Sequence, residues 1–186
     1  MALAEELEGI AAHVAAGTRA GERVAAVLAA EPHAGLRVYL CAVEDDAANA
    51  RTWVAVDAAG AVVTDRGVVR DAVSILATCE LAEESAGGGD LEELQQQLVA
   101  LRVTENPEGI EEAEAAVLEL QRVIGAPPHV ATPQRLDAIG VAARELEIAL
   151  GGGLQPSPFA EAMRGGRDVV DAFLLEVEGA YRAGLR

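Results

Sequence analysis

From residue 87 to residue 186, glycines and prolines divide the sequence into short segments, each with an apolar stripe at helical spacing. The first segment has leucines at positions 91, 94, 98 and 101, and Asp90 with Glu93 forms a helix-capping pattern before them. The other stripes are Ile110 to Ile124, Leu136 to Leu150 and Val170 to Tyr181, and the prolines that follow Asn106, Thr132 and Ser157 are typical of helix starts. Each stripe is too short for a coiled coil, so residues 87–186 are predicted to form a bundle of about four helices.

The apolar pattern changes at Leu36. Residues 37–44 and 52–56 are rich in β-branched and aromatic side chains, and a turn at 57–60 leads into a third such run at 61–64. This pattern predicts a short three-stranded antiparallel meander, which needs helices to cover it. The same spacing rules predict two helices before residue 32, the second of them through Val24, Val27 and Leu28, and one helix over 69–85.

The predicted fold class is therefore α+β and mostly α. Residues 1–86 are predicted to hold helices, the small antiparallel sheet and a further helix, and residues 87–186 to hold the helical bundle. The two parts are predicted to pack as one compact unit. Trp53, in the second strand, is predicted either to anchor the sheet on the helix at 69–85 or to face a protein partner, because tryptophan contributes strongly in both settings.

The chain contains no lysine: its 14 basic side chains are all arginine, against 31 carboxylates. Without a lysine amine, it cannot form a Schiff base, anchor pyridoxal phosphate or complete a phosphate-binding P-loop. The net charge of −17 and the aromatic content of 3% argue against nucleic acid as a partner, because phosphates are repelled and few rings can stack on bases. No cofactor is expected.

The first residues are acidic where a secretory signal needs positive charge, and no run approaches the ~18 consecutive apolar residues of a membrane span. We therefore expect a cytoplasmic protein that does not bind membranes. Cys41 and Cys79 stand in apolar runs, at a spacing that matches no zinc or redox motif. They are predicted to be buried, reduced thiols.

Two pairs of carboxylates lie on either side of the glycine run at 87–89. Glu80 and Glu83 are three residues apart on one predicted helix, and Asp90 and Glu93 on the next, so each pair can face one way and hold a divalent cation such as Mg²⁺. This short stretch resembles the magnesium sites of all-helical nucleoside-triphosphate pyrophosphohydrolases. The resemblance implies a phosphohydrolase that depends on a divalent metal. The alternative is a solvated acidic face followed by a helix cap.

Two other sets of residues are candidates for ligand binding. His129 lies in a proline-rich loop, residues 126–133, between two predicted bundle helices, and rigid loops often carry binding groups. Arg164 and Arg167 flank two glycines before the last helix and are candidates for bidentate contacts to an anion. The alternatives are an ordinary loop with an exposed imidazole, and arginines that pair with the protein's own carboxylates.

These residues include no convergent catalytic set, so an enzyme is the less favoured class. Surplus amphipathic helices and the open edges of a small sheet favour a non-enzymatic module that forms a homodimer or binds a protein partner. One alternative is a small-ligand sensor with a pocket between sheet and bundle, gated by the His129 loop. The other is the metal-dependent phosphohydrolase that uses Glu80, Glu83, Asp90 and Glu93.

Overall fold

The computed structural model describes residues 2–87, 90–102, 107–152 and 156–184. Within these ranges the helices are α1 (Leu3–Ala16), α2 (Arg66–Ser85), α3 (Leu91–Arg102), α4 (Pro107–Ile124), α5 (Pro133–Ala149), α6 (Pro158–Gly165) and α7 (Arg167–Ala180), and the strands are β1 (Glu22–His33), β2 (Leu36–Asp45), β3 (Ala50–Asp57) and β4 (Val130–Ala131). The fold is α+β and mostly helical, as predicted. The predicted helix cap at Asn106, and Gly88, Gly89 and Gly153 of the glycine runs, lie outside the described residues.

The chain has two compact units. Unit 1 contains Met1–Thr78, Pro127–Pro133 and Val169–Arg186, and unit 2 contains Cys79–Ala126 and Gln134–Asp168. Unit 1 holds the sheet, and unit 2 is helical. The packing of residues 1–86 and 87–186 as one compact unit stays a prediction.

The strands form a mixed sheet in the order β3-β2-β1-β4. β2 is antiparallel to both β1 and β3, whereas the short β4 pairs with β1 in parallel. Among the described residues the sheet thus has four strands, not the three of the predicted meander. The predicted third strand at 61–64 is reduced to a single bridge between Val62 and Val56, and a second bridge joins Tyr181 to Trp53 on the same outer edge of β3.

The predicted helix through Val24, Val27 and Leu28 is wrong, because these residues belong to β1. The register of β1 against β2 shifts between Val24 and Ala26, which marks a β-bulge. Because of the bulge, Val24 and Val27 both pack against the core although they are three residues apart, a spacing typical of a helix. The alanine-rich composition adds helix propensity, which the strand pairing overrides.

Both faces of β2 are buried. The residues from Val38 to Val43 are each at most 2% exposed. Because side chains alternate along a strand, Tyr39 and Val43 point to one face, where they pack with Ile10 and Val14 of α1. The residues between them point to the opposite face, so that face must also be covered.

Trp53 of β3 lies on this opposite face and is 4% exposed. Its ring meets Phe173 of α7 edge-on, with ring centroids 5.5 Å apart, and its Nε1 donates to the Glu176 carboxylate at 3.2 Å. The Trp53 carbonyl accepts a bond from the backbone N–H of Arg182 at 2.8 Å. Trp53 is therefore a core residue, and α7 belongs to the sheet unit and not to the predicted helical bundle.

The core of unit 2 is formed by α3, α4 and α5. Leu98, Val117, Leu120 and Leu146 are buried together, as the predicted stripes require. The stripes end sooner than predicted, because Leu101 and Leu150 are 43% and 50% exposed. The predicted start of α6 is also confirmed, because the Ser157 side chain accepts a bond from the backbone N–H three residues on, at 3.1 Å.

A hydrogen-bonded cluster ties α1 to the sheet. The buried Tyr39 hydroxyl donates to the Glu6 carboxylate. Arg37 donates to Glu6 and to Glu31, at 3.2 Å each. The bond from Tyr39, assisted by Arg37, holds the pKa of Glu6 below its usual value although partial burial opposes the shift. Burial and the bond to Glu6 raise the pKa of Tyr39 to about 12.

Replacing Tyr39 by Phe removes the hydroxyl and keeps the ring. We expect the free energy of unfolding at neutral pH to fall by about 1–2 kcal/mol, because Glu6 loses a bond to a charged acceptor that is partly shielded from water. Folding lowers the pKa of Glu6. The contribution of Glu6 to the free energy of unfolding is therefore complete above its pKa in the unfolded chain, and it is lost as pH falls through its pKa in the folded protein. The stability difference between wild type and variant should therefore shrink in acid.

The comparison of wild type with Tyr39→Phe also predicts a difference in stability at alkaline pH. The pKa of Tyr39 rises from 10.0 to about 12 on folding. The contribution of Tyr39 to the free energy of unfolding is therefore complete below pH 10.0, and it is lost as pH rises through the pKa of the folded protein. Tyr39→Phe should lack this component of alkaline destabilisation. Urea unfolding of both proteins from acid to alkaline pH measures the two effects. A stability difference that does not change with pH would contradict the hydrogen bond between Tyr39 and Glu6.

Gly60 and Gly35 form a matched pair of left-handed turn glycines, with φ of +79° and +78°. A Cβ on Gly60 would lie 2.6 Å from the ring of His13, whose Nε2 is 3.1 Å from the Gly60 carbonyl oxygen, whereas Gly35 has open space around it. Alanine at either position carries backbone strain of roughly 1–2 kcal/mol. Gly60→Ala should lower the free energy of unfolding by a further ~1–2 kcal/mol through overpacking.

Urea unfolding of both alanine variants measures this excess. Adding His13→Ala to Gly60→Ala should remove most of it, because the ring that the Cβ meets is then absent. Equal losses for the two single variants would show that the His13 contact does not constrain Gly60.

Candidate functional site

The four carboxylates predicted to hold a cation have different surroundings. Glu80 and Glu83 lie on α2, Asp90 directly precedes α3, and Glu93 is in the first turn of α3. Glu83 accepts bonds from Nε and Nη2 of Arg135 at 3.0 and 2.5 Å. In the part of the chain that the structure describes, no three His, Cys, Asp or Glu side chains are grouped as metal ligands. A cation at Glu83 would compete with Arg135, and the metal site stays a prediction.

Arg135 also closes the C-terminal end of α4. Its Nη1 donates to the Val123 carbonyl at 3.1 Å, and its Nη2 donates to the Ile124 carbonyl at 2.7 Å. The last carbonyls of a helix have no partner within the helix, so these bonds satisfy groups that need one. The side chains of Arg135 and Glu83 are 15% and 29% exposed, so water screens the pair only in part. Glu83 therefore has a structural role.

His129 is half-buried and stands immediately before β4. The loop predicted from its prolines thus contains a short strand, which pairs with β1 through Val130 and Ala131. Two residues of parallel pairing leave no periodic signal in a sequence, so β4 could not be predicted. The binding role of His129 stays a prediction.

Arg164 and Arg167 lie on different helices. Arg164 is in the last turn of α6, Arg167 is the first residue of α7, and both are exposed. Gly166 separates the two helices, and a Cβ at this position would collide with the Leu81 side chain. Arg164 lines a groove on unit 2, and Arg167 does not. Anion binding by the two arginines stays a prediction.

The groove has a volume of about 910 Å³ and runs between α5 and α6. Its apolar lining comprises Leu136, Gly140, Val141, Phe159, Ala160 and Met163. The Phe159 ring lies against Gly140, 3.7 Å from the position of a Cβ there, and the Phe159 backbone N–H donates to the Glu147 carboxylate at 2.9 Å. These contacts hold α6 against α5. Val141 is 60% exposed, so apolar surface in the groove remains open to solvent.

The rim of the groove is charged but electrically neutral. It contains Asp137, Arg144, Glu145 and Arg164, two acidic and two basic side chains. The chain as a whole carries −17. The groove is thus a neutral apolar strip on an acidic protein. Apolar surface with a polar rim is a common mark of an interaction site.

Of the groove residues, only Arg164 is predicted from the sequence as a functional residue. The inward stripe of α5 is the stronger pattern, because it contains Ile139 and Leu146, which are 0% and 7% exposed. Val141 and Ile148 form a second, outward pair seven residues apart, and they are 60% and 55% exposed. That heptad spacing is the sequence signal for a second apolar face.

Comparison with protein-family models, with curated proteins and with solved structures found no match to this chain. No helix among the described residues is long and apolar enough to cross a membrane. Cys41 and Cys79 are both buried, and burial raises the pKa of Cys41 to about 12, so the Cys41 thiol is protonated near neutral pH.

Replacing Arg135 by Lys keeps the charge but removes the planar guanidinium group, which donates hydrogen bonds to three acceptors. We expect the free energy of unfolding to fall by about 1–3 kcal/mol, because Glu83 and the α4 carbonyls lose their shared donor. Arg144→Lys, at an exposed position on the same helix, should change it by less than about 0.5 kcal/mol. Urea unfolding followed by helical circular dichroism measures both variants, and equal effects would contradict the role of Arg135.

Proposed function

We propose that the protein is non-enzymatic and self-associates as a homodimer through the α5–α6 groove. The observation that carries the proposal is the apolar groove with a neutral rim on unit 2. In a two-fold dimer the same face of each copy is used, so that α5 of one copy lies along the groove of the other.

The apolar content of this face supports burial. Phe159 and Met163 line the groove together with the exposed Val141. Ile148 extends the apolar strip by two turns along the same side of α5. Burying such side chains stabilises an association by about 25 cal/mol per Å² of apolar surface, before the entropic cost of association is subtracted.

The charges at the rim of the groove permit a second copy as the partner. Two copies with a charge of −17 each repel one another, but salt at physiological concentration screens this repulsion beyond about 8 Å. At the neutral rim, Arg144 of one copy can meet Glu145 or Asp137 of the other without bringing like charges together. The groove is therefore a face through which an acidic chain can approach its own copy.

The size of the face sets the expected strength. α5 has 17 residues, or about 25 Å of helix, and two adjacent helices are about 20 Å wide. Each copy would bury about 500 Å², below the ~800 Å² per partner of a standard interface. The dimer should therefore be weak and should dissociate on dilution.

The sheet edge is a less suitable place for self-association than the sequence suggests. The outer edge of β3 is bridged at Val56 by Val62 and at Trp53 by Tyr181. These bridges occupy backbone groups that a second strand would need. Helices are therefore the more suitable surface for the contact between copies.

Val141→Arg tests the groove against a matched control. Val141 and Val169 are both helical valines with 60% exposure, and only Val141 lines the groove. Because arginine at 141 would put a bulky, charged side chain into the apolar contact, we expect Val141→Arg to weaken dimerisation by more than about tenfold. Val169→Arg should leave dimerisation unchanged.

Sedimentation equilibrium from micromolar to near-millimolar protein measures both dissociation constants. Moderate salt keeps the repulsion between acidic chains screened. A strictly monomeric wild type over this range would refute self-association. A dimer that Val141→Arg does not weaken would place the contact on another face.

A further inference from the structure

A small cavity of about 190 Å³ lies between α2 and α7 within unit 1. Its floor is aliphatic: Val69, Val73 and Val177 are at most 5% exposed, and the half-buried Leu174 lies beside them. Such a floor favours the apolar part of a ligand, because binding removes hydrocarbon surface from water.

The polar side of the cavity carries a net positive charge. It is lined by Arg66, Arg70 and Glu178, which together carry +1 on a chain of −17. Arg70 Nε lies 3.7 Å from Glu178 Oε1, so these two charges offset one another. Among the described residues no carboxylate lies within 4.0 Å of the Arg66 guanidinium. Arg66 is therefore the cation with capacity for an anion.

Tyr181 also lines the cavity, and its hydroxyl proton is already engaged in a hydrogen bond within the protein. The Tyr181 hydroxyl donates to the Val63 carbonyl oxygen. Burial raises the pKa of Tyr181, although the nearby charge of Arg66 opposes the shift, so the phenol is neutral at physiological pH. Arg66, which has five N–H donors, is thus the group that remains to bind a carboxylate.

The volume limits the size of the ligand. A group of the size of a water molecule occupies about 30 Å³, so the cavity holds about six non-hydrogen atoms. This is too small for a nucleotide or a long acyl chain. It fits an aliphatic tail of about four or five carbons inside the cavity, with the carboxylate at its open, polar side.

We infer that this cavity binds a short-chain aliphatic carboxylate, with its tail on the valine floor and its carboxylate on the Arg66 guanidinium. The site lies in unit 1, and the inference is independent of the proposed dimer, which uses unit 2. The two are separated by experiment, because Val141→Arg should leave carboxylate binding unchanged.

Pentanoate is the probe for this site. Titration followed by ¹H–¹⁵N NMR should give saturable shifts that are concentrated at residues 66–73 and 174–181. Arg66→Gln should weaken binding by about tenfold or more, the effect of one lost charge-assisted contact. Arg167→Gln is the matched control, since Arg167 is also an exposed arginine at the first position of a helix, and it should bind pentanoate as wild type does.

The neutral analogue 1-pentanol tests the role of charge. It should bind at least about tenfold more weakly than pentanoate if Arg66 holds the carboxylate. Equal binding of the two probes, unchanged binding in Arg66→Gln, or the absence of saturable shifts would overturn the inference.

A series from propanoate to octanoate tests the size of the cavity. Affinity should rise by roughly fourfold for each added CH₂ and stop rising near pentanoate or hexanoate, when the cavity is full. An affinity that continues to rise to octanoate would show binding to an open apolar surface and would overturn the site.

Discussion

The burial of β2 on both faces is the constraint on which unit 1 depends. Six consecutive residues, from Val38 to Val43, are almost fully buried, and alternation along a strand divides them between two faces. α1 covers one face through Ile10 and Val14. On the other face, Trp53 packs against Phe173 of α7. The helix at residues 167–180 is thus required to cover a sheet whose three long strands come from the first third of the chain.

The same packing produces the cavity between α2 and α7. Polar contacts fix the C-terminal end of α7, since Glu176 accepts a bond from Trp53 and the Tyr181 hydroxyl donates to Val63. With α7 held in this position, Val177 and Val73 are buried and line the floor of the cavity. The candidate ligand site is therefore a consequence of how the sheet is covered.

Most helices could be predicted because each one is marked locally, by a stripe and by a start signal such as Ser157 before Pro158. A stripe does not show what it contacts, so the sequence predicts α7 in the bundle although Phe173 packs on Trp53. The strand β1 cannot be recognised from periodicity because its bulge gives helical spacing. The strand β4 cannot be recognised because parallel pairing of two residues leaves no pattern. In α5, the stripe of buried residues is the stronger sequence pattern, so the exposed Val141 is not recognised as part of an apolar surface. Sequence periodicity identifies apolar faces, and packing decides which of them remains open.

The central claim is that the α5–α6 face of unit 2 is covered by a second copy of the chain. Amide hydrogen exchange at low and at high protein concentration tests this claim most directly, because it reports protection segment by segment. The account predicts that exchange slows with concentration in residues 136–148 and 158–164 and stays constant in α1 and in the sheet. Exchange that is independent of concentration throughout, or that slows only outside the α5–α6 face, would contradict it.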